Sequence, residues 1–337
     1  GDRVATLAWN GYRHLELYYG ISGIGAVCHT INPRLSPEQM LYIIEHAGDR
    51  LLFVDTTFVP IIEKLIPKLP KNLVIIVMAS SDDSSTLSDN FLNYEQLILE
   101  SPHDIIWPEF PENTAAGLCY TSGTTGIPKG VVLNYKAAAT ATKNLDLLFP
   151  LSENDRFISY LPLSHIAERA LVEHGGILSG GKIFFVESLE TFVENLKYCK
   201  PTIFFGVPRI YTKFMTKILS IFPQRAINFI MKIPILNNLF SFIIRKALGL
   251  NKSRICITGA ASIPKSTLEW FDRFKLKIYE AYGMSENSAC SHGNYPGNIK
   301  FGTVGKAMPD TDVKITEQGE ITMKNDCMMQ GYFKERD

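Results

Sequence analysis

The chain has 337 residues and a mass of 37.8 kDa, with 46% hydrophobic and 20% charged residues. That composition excludes a collagen, a disulfide miniprotein and a wholly disordered chain, and the length fits two or three domains. Lysine and arginine balance aspartate and glutamate, 34 against 34, so no overall positive field exists to attract nucleic acid, and no nucleic-acid partner is expected.

Six cysteines, at positions 28, 119, 199, 256, 290 and 327, lie far apart without a C-x-x-C pair or a zinc-ligand spacing. They read as buried thiols in a reducing, cytoplasmic setting. No secretory signal opens the chain. It starts at Gly1 without Met, inside a strand-like run, and stops at Asp337. It reads as a piece of a longer protein.

Along the first third, strand and helix signals alternate. Val4–Trp9 reads as a strand, Tyr12–Gly25 as a helix and Ala26–Thr30 as a short apolar strand. Ser36, Pro37 and Gln39 form a capping-box start, and the helix through Met40, Ile43, Ile44 and Ala47 stops at Gly48. Leu51–Val54 and Leu73–Met78 read as strands, and Ser80–Asp89 as a polar surface loop.

The alternation continues with strands at Phe157–Leu163, Ile183–Val186, Thr202–Val207, Ile255–Ile257 and Lys277–Tyr282. Helices are expected through Ala167–Leu178, Leu189–Cys199 and Pro264–Phe274. Apolar strands separated by helices predict an α/β fold: parallel, doubly wound sheets with helices on both faces. After Gly283 the strands shorten, and Asp312–Ile315 with Glu320–Met323 reads as an antiparallel pair in a small β region.

The most informative segment is Tyr120-Thr-Ser-Gly-Thr-Thr-Gly-Ile-Pro-Lys-Gly130. Its glycines let backbone approach a ligand, its hydroxyls donate without charge, and backbone N–H groups in such a turn make an anion-binding concavity. Lys129 adds a charge suited to outer phosphates. The segment is not a Walker A loop, because Pro128 stands where the second glycine is required. A plain Ser/Gly surface loop would share this composition.

The segment resembles the phosphate-binding signature of the adenylate-forming (AMP-binding) superfamily. Other stretches are similar to family motifs in the expected order. Tyr160-Leu-Pro-Leu-Ser-His165 resembles the substrate-side histidine motif, Thr258-Gly-Ala-Ala261 the adenine-pocket loop, and Tyr279-Glu-Ala-Tyr-Gly-Met-Ser-Glu286 the nucleotide and metal segment. Gly302–Pro309, Gly319–Ile321 and Gly331–Phe333 are similar to later structural motifs. The wording of Asn32–Glu38, Leu161–Arg169 and Val207–Tyr211 is closest to bacterial long-chain fatty acid–CoA ligases. No Phe-Asp pair occurs in Phe157–Arg169, which disfavours an amino-acid substrate.

The resemblance implies two doubly wound subdomains, residues 1–148 and 149–290, and the start of a small β subdomain at 291–337. It places the ribose-binding Asp and the lid domain with its catalytic Lys beyond the end of this chain. It implies that Thr121, Ser122, Gly123, Thr124, Thr125, Gly126 and Lys129 hold ATP phosphates. Glu286 would ligate Mg²⁺, with Thr121 nearby. Gly259, Ala260, Ala261, Glu280 and Ala281 would line the adenine pocket, Tyr282 would stack on the base beside Gly283, and Ser285 would reach the α-phosphate. His165 would stand beside the acyl carboxylate, with Lys129 and Glu286 as the other catalytic groups. Coenzyme A would be the second co-substrate, and a fatty acid the substrate.

One interval stands apart. Between Glu194 and Glu269 there is no acidic residue but twelve Lys/Arg, interleaved with apolar runs at Ile218–Phe222, Ile227–Met231, Ile233–Leu236 and Leu239–Ile244. No uncharged apolar run is long enough to span a bilayer. Either part of 215–248 lies against an anionic membrane, at its inner face, or it covers the sheet with a basic face in water.

Overall fold

The structure is a computed structural model that describes residues 1–80, 90–122 and 126–335. Most of the polar 80–89 stretch, and Gly123, Thr124 and Thr125 of the glycine-rich segment, lie outside the described residues. The chain forms two compact units. One contains residues 1–138, 161–169 and 328–337, and the other 139–160 and 170–327. Both are discontinuous, whereas the linear reading drew consecutive boundaries at 148 and 290. The physical reason lies in the hydrogen bonds and apolar contacts that hold 161–169 and 328–333 on the first unit.

The first unit is built on strands β1 (Arg3–Leu7), β2 (Val27–Thr30), β3 (Leu51–Val54), β4 (Val74–Val77), β5 (Leu92–Asn93), β6 (Ala115–Ser122) and β7 (Pro128–Asn134). With a last strand at Gly331–Tyr332 they make one eight-stranded sheet, ordered last strand, β7, β6, β2, β1, β3, β4, β5. Strands β6 to β5 along this order are parallel, β7 is antiparallel to β6, and the last strand is antiparallel to β7. The sheet is therefore mixed rather than purely parallel. Its strands bury side chains on both faces: Ala5 and Leu7 pack with Met40, Ile43, Ile44 and Ile62, and Val4 and Ala8 with Leu17, Tyr18 and Ile21.

The helix start at Ser36 forms as expected. The Ser36 hydroxyl accepts from Gln39 N, the Gln39 side chain accepts from Ser36 N, Pro37 opens the helix, and Gly48 ends it in the left-handed region at φ 65°. The Pro37–Ala47 helix so fixed places Met40, Ile43 and Ile44 under the sheet.

The second unit holds a parallel pair, β8 (Arg156–Ser159) and β9 (Lys182–Phe185). A second sheet runs β10 (Ile203–Phe205), β11 (Ile255–Thr258), β12 (Ile278–Tyr282), β13 (His292–Gly293) and β14 (Lys306–Ala307). The first three are parallel and the last two antiparallel. Its core is rich in aromatics, with Phe204, Tyr211, Phe214, Phe240, Phe271 and Phe274 in one cluster. The antiparallel ribbon of β15 (Asp312–Ile315) and β16 (Ile321–Lys324) forms as expected, with Asp312 opposite Lys324. All six cysteines are free and buried. Among the described residues no helix is long and apolar enough to cross a membrane.

Candidate functional site

In open α/β sheets, ligands bind outside the C-terminal ends of the strands, where the strand order reverses. In the first unit that reversal falls at β1, which has β2 on one side and β3 on the other. The glycine-rich segment continues from the C-terminal end of β6, close to this point in the sheet.

Much of that segment is strand rather than turn. β6 runs through Thr121 and Ser122, and β7 starts at Pro128, with Thr121 opposite Lys129 and Ser122 opposite Pro128. β6 and β7 are therefore antiparallel neighbours up to Ser122 and from Pro128. Gly126, at φ 84°, is exposed. The base of the hairpin is held from two sides. Tyr120 shares a 2.7 Å hydrogen bond with the His46 ring, and Cys119, Val131 and Leu133 pack with Ile166, Met329 and Tyr332. Below Tyr120 lies a fully buried pair, His29 Nδ1 and Asp49 Oδ2, 2.8 Å apart.

Lys129 points its ammonium at Glu335, 2.8 Å away, and over the Tyr332 ring, 4.9 Å from its centroid. Both partners of this ion pair are partly exposed, so it is worth about 0–1 kcal/mol and a polyphosphate would readily replace Glu335.

His165 reaches the same end of the sheet by a route that runs through backbone carbonyls. Asn10, just after β1, donates to Leu161 O at 2.7 Å. Thr30, at the end of β2, donates to Leu163 O at 3.0 Å, and the Cys119 thiol of β6 donates to Ser164 O at 3.3 Å. Arg169, almost fully buried, donates through Nε to Leu163 O at 2.6 Å and also reaches Thr30 Oγ1. The loop carrying His165 is thus fastened across the C-terminal ends of β1, β2 and β6. His165 is exposed at the surface of this loop, yet partial desolvation, and then the positive charge of Arg34, lower its pKa and favour the neutral imidazole. Asn10, Thr30 and Arg169 escaped the sequence reading, because their role depends on partners more than a hundred residues away or on main-chain atoms.

The second unit brings the other predicted residues together. β11 and β12 are parallel neighbours, with Thr258 opposite Glu280, so Gly259, just past the end of β11, comes beside Ala281, which stays in β12 opposite Gly293. A Cβ on Gly259 would stand 3.0 Å from Ala281 O. Ala260 adopts φ 66°, and it and Ala261 are exposed. An alanine in the left-handed region costs roughly 1–2 kcal/mol, and such strain concentrates at ligand sites. Glu280 does not face outward. It is buried, its Oε1 accepts from Ile263 N at 3.3 Å, and burial raises its pKa despite that bond. Its carboxyl braces the 259–263 loop.

Residues Ala281–Glu286 are all half-buried. The Tyr282 ring lies 6.2 Å from that of His292, tilted by 42°. Ser285 and Glu286 sit in a single 3-10 turn, followed by Ser288 and Ala289 at φ 52° and 61°. Two consecutive non-glycine residues in the left-handed region need strong support. Asn287, fully buried, supplies part of it: its Oδ1 accepts from Met284 N at 3.0 Å and its amide reaches Met323 Sδ. Ser288 Oγ donates to Cys327 O at 3.0 Å. Asn287, Ser288 and Ala289 were also missed; an Asn before two small residues carries no periodic signal.

The metal expectation can be tested on the donors. Among the described residues no group of three or more His, Cys, Asp or Glu could hold a metal. Mg²⁺ commonly takes one or two carboxylates, with phosphate and water filling its shell. A single half-buried carboxylate such as Glu286 suits an ion carried by a nucleotide better than a metal held by protein alone.

The AMP-binding enzyme family matches residues 1–333. A 3-methylmercaptopropionyl-CoA ligase of Ruegeria pomeroyi is 32% identical over 98% of this chain and 60% of its own length. A long-chain-fatty-acid–CoA ligase of Thermus thermophilus is 30% identical over 86% of this chain and 48% of its own length. The chain thus spans about 60% of the first relative and less of the second. Among solved structures, an anthranilate CoA ligase in complex with anthranoyl-AMP superposes with TM-score 0.82 at 20% identity, over 99% of this chain and 62% of that one. The fold is that of adenylate-forming enzyme N-terminal domains. The chain belongs to the AMP-binding enzyme family.

Proposed function

We propose that the protein is the nucleotide- and acid-binding part of an AMP-forming acid–CoA ligase acting on a fatty carboxylate in the cytoplasm. The carboxylate oxygen attacks the α-phosphorus of ATP, giving acyl-adenylate and releasing pyrophosphate. The thiol of coenzyme A then attacks the acyl carbon, and AMP leaves. Both reactants of the first step are anions, so the residues have to position them and offset charge.

The roles of individual residues are part of the same proposal. The 121–126 backbone and Lys129 hold the outer phosphates. Gly259, Ala260, Ala261 and Ala281 leave room for adenine against Tyr282, beside Gly283, and Ser285 reaches the α-phosphate. Neutral His165 donates or accepts one hydrogen bond at the acid without adding a charge. Glu286 would ligate the Mg²⁺ that enters with ATP, and the ion would screen phosphate charge. The observation that carries the reading is the 282–289 segment: a half-buried Glu286 on a turn that Asn287 and the Ser288 hydroxyl brace despite two left-handed residues. Backbone strain of this kind persists where function retains it.

The acyl group is the open choice, between a long chain and a shorter or aryl acid. A similarity of 32% to a ligase named for a short thioether acid, beside 30% to a long-chain ligase, gives the second choice weight. ATP–pyrophosphate exchange over carboxylates of graded length tests both. Exchange with no carboxylate of any class would leave a non-catalytic nucleotide-binding relative in its place.

A further inference from the structure

The acid-free interval folds as three helices, Pro208–Ile221, Gln224–Ile230 and Pro234–Ala247. The first is an ordinary surface helix. Tyr211, Phe214 and Ile218 are buried, and Arg209, Thr212, Lys213, Thr216, Lys217 and Ser220 face water. The third is built differently. Its inner face buries Phe240, Ser241 and Ile244. Its outer face is apolar as well: Ile235, Leu239, Phe242 and Ile243 are 80%, 56%, 45% and 47% exposed. Positions 235, 239, 242 and 246 follow helical spacing, so three apolar side chains and Lys246 form one outward stripe. A helix apolar on both faces belongs in a core or against lipid.

Neighbouring elements extend the patch and set its charge. Phe229, 66% exposed, and Ile233, 37% exposed, continue the apolar surface toward the second helix. Arg225, Lys232 and Lys246 are exposed around it, and Arg245 is half-buried, its Nε donating to Ser241 O. Two more cations come from the segment after β11: Arg273 donates to Asn228 at 2.9 Å, and Lys275 to Asn238. The carboxylates on that segment are Glu269, paired with Lys265, and Asp272. Aliphatic and aromatic side chains ringed by cations match a headgroup layer, where the rings and chains enter the acyl boundary and the cations meet phosphates.

We propose that the outer face of Pro234–Ala247, with Phe229 and Ile233, docks on an anionic lipid bilayer. The proposal stands apart from the ligase reading, since it rests on this surface alone. Co-sedimentation of the purified protein with phosphatidylcholine vesicles, with and without phosphatidylserine, tests it. Binding should require phosphatidylserine and should fade as salt shortens the screening length to a few ångströms, about 3 Å at molar ionic strength. The variant R225Q/K232Q/K246Q should lower partitioning by about 100-fold, roughly fivefold for each charge near the surface. The variant I235Q/L239Q/F242Q should lose the binding that remains at moderate salt. Both should melt as the wild type does, because exposed positions tolerate change. Pyrophosphate exchange with a soluble short acid should be unaltered in both, which separates loss of this face from loss of the nucleotide site. Equal sedimentation of wild type and both variants, or no sedimentation of the wild type with any vesicle, overturns the proposal. So does a lipid-free dimer that the apolar variant dissolves, since a second copy would then cover the face.

Discussion

Two glycine-bearing turns, one at the end of the β6–β7 hairpin and one at the end of β12, use glycine for opposite reasons. Gly126 has φ 84°, and a Cβ there would meet nothing within 4 Å. Conformation, not space, requires glycine at that position. A Cβ on Gly283 would stand 2.4 Å from Ala289 O, so space decides there, while the left-handed conformations fall on Ser288 and Ala289. The base of the β6–β7 hairpin is braced by His46 and by the cluster around Cys119. The 283–289 turn is folded onto itself and held by Asn287 and Ser288. A motif match treats both as glycine-rich nucleotide segments; their tolerance to substitution should differ sharply.

The largest expected effect tests what the second turn presents. Glu286→Gln keeps the shape of the turn and removes its charge, and ATP–pyrophosphate exchange should fall by roughly 10²-fold, the scale of one electrostatic contact to the transition state. Exchange at the wild-type rate would show that the strained turn serves the fold alone. Next in size, Gly283→Ala drives a Cβ into backbone and should cost about 1–3 kcal/mol in urea unfolding, as overpacking does. An unchanged midpoint would mean that 288–289 can shift aside, and the contrast with the hairpin would vanish. Gly126→Ala should cost about 1 kcal/mol or less, from the left-handed backbone only, yet weaken ATP in calorimetry if the segment holds phosphates as proposed. Unchanged ATP affinity would make the hairpin tip a structural loop.

The smallest effect concerns His165. Burial and Arg34 lower its pKa, so NMR should find its midpoint below about 6.5, the ordinary imidazole value, and Arg34→Gln should raise it. The sign for stability follows. A folded-state pKa below the unfolded one means the unfolded chain binds the proton first as pH falls. The contribution of His165 is therefore complete above about 6.5 and is lost as the solution acidifies toward the folded value. A midpoint at or above the ordinary value would place the ring in free solvent and remove the argument for a neutral hydrogen-bonding partner.

Local chemistry made a good part of this molecule legible. The capping box at Ser36 and Gln39, the stop at Gly48 and the β15–β16 ribbon depend on residues a few positions apart, so spacing alone announces them. The phosphate-loop, adenine-loop and Gly-Met-Ser-Glu segments were visible as motifs because each is contiguous. What spacing could not convey was assembly. Nothing near His165 says that its loop leaves the middle of the chain to be fastened by Asn10, Thr30 and Cys119. Glu280 sits within a nucleotide motif, yet turns inward to Ile263 N, because β11 and β12 pair in a register set by their whole length. The Pro234–Ala247 helix carries apolar residues on more than one face, and only packing against Phe271, Phe274 and their neighbours selects which are hidden. Helical periods and caps are properties of a few adjacent residues. Which carbonyl meets which side chain across a hundred residues is set by the packed core, and the working geometry of this protein belongs to that second kind of information.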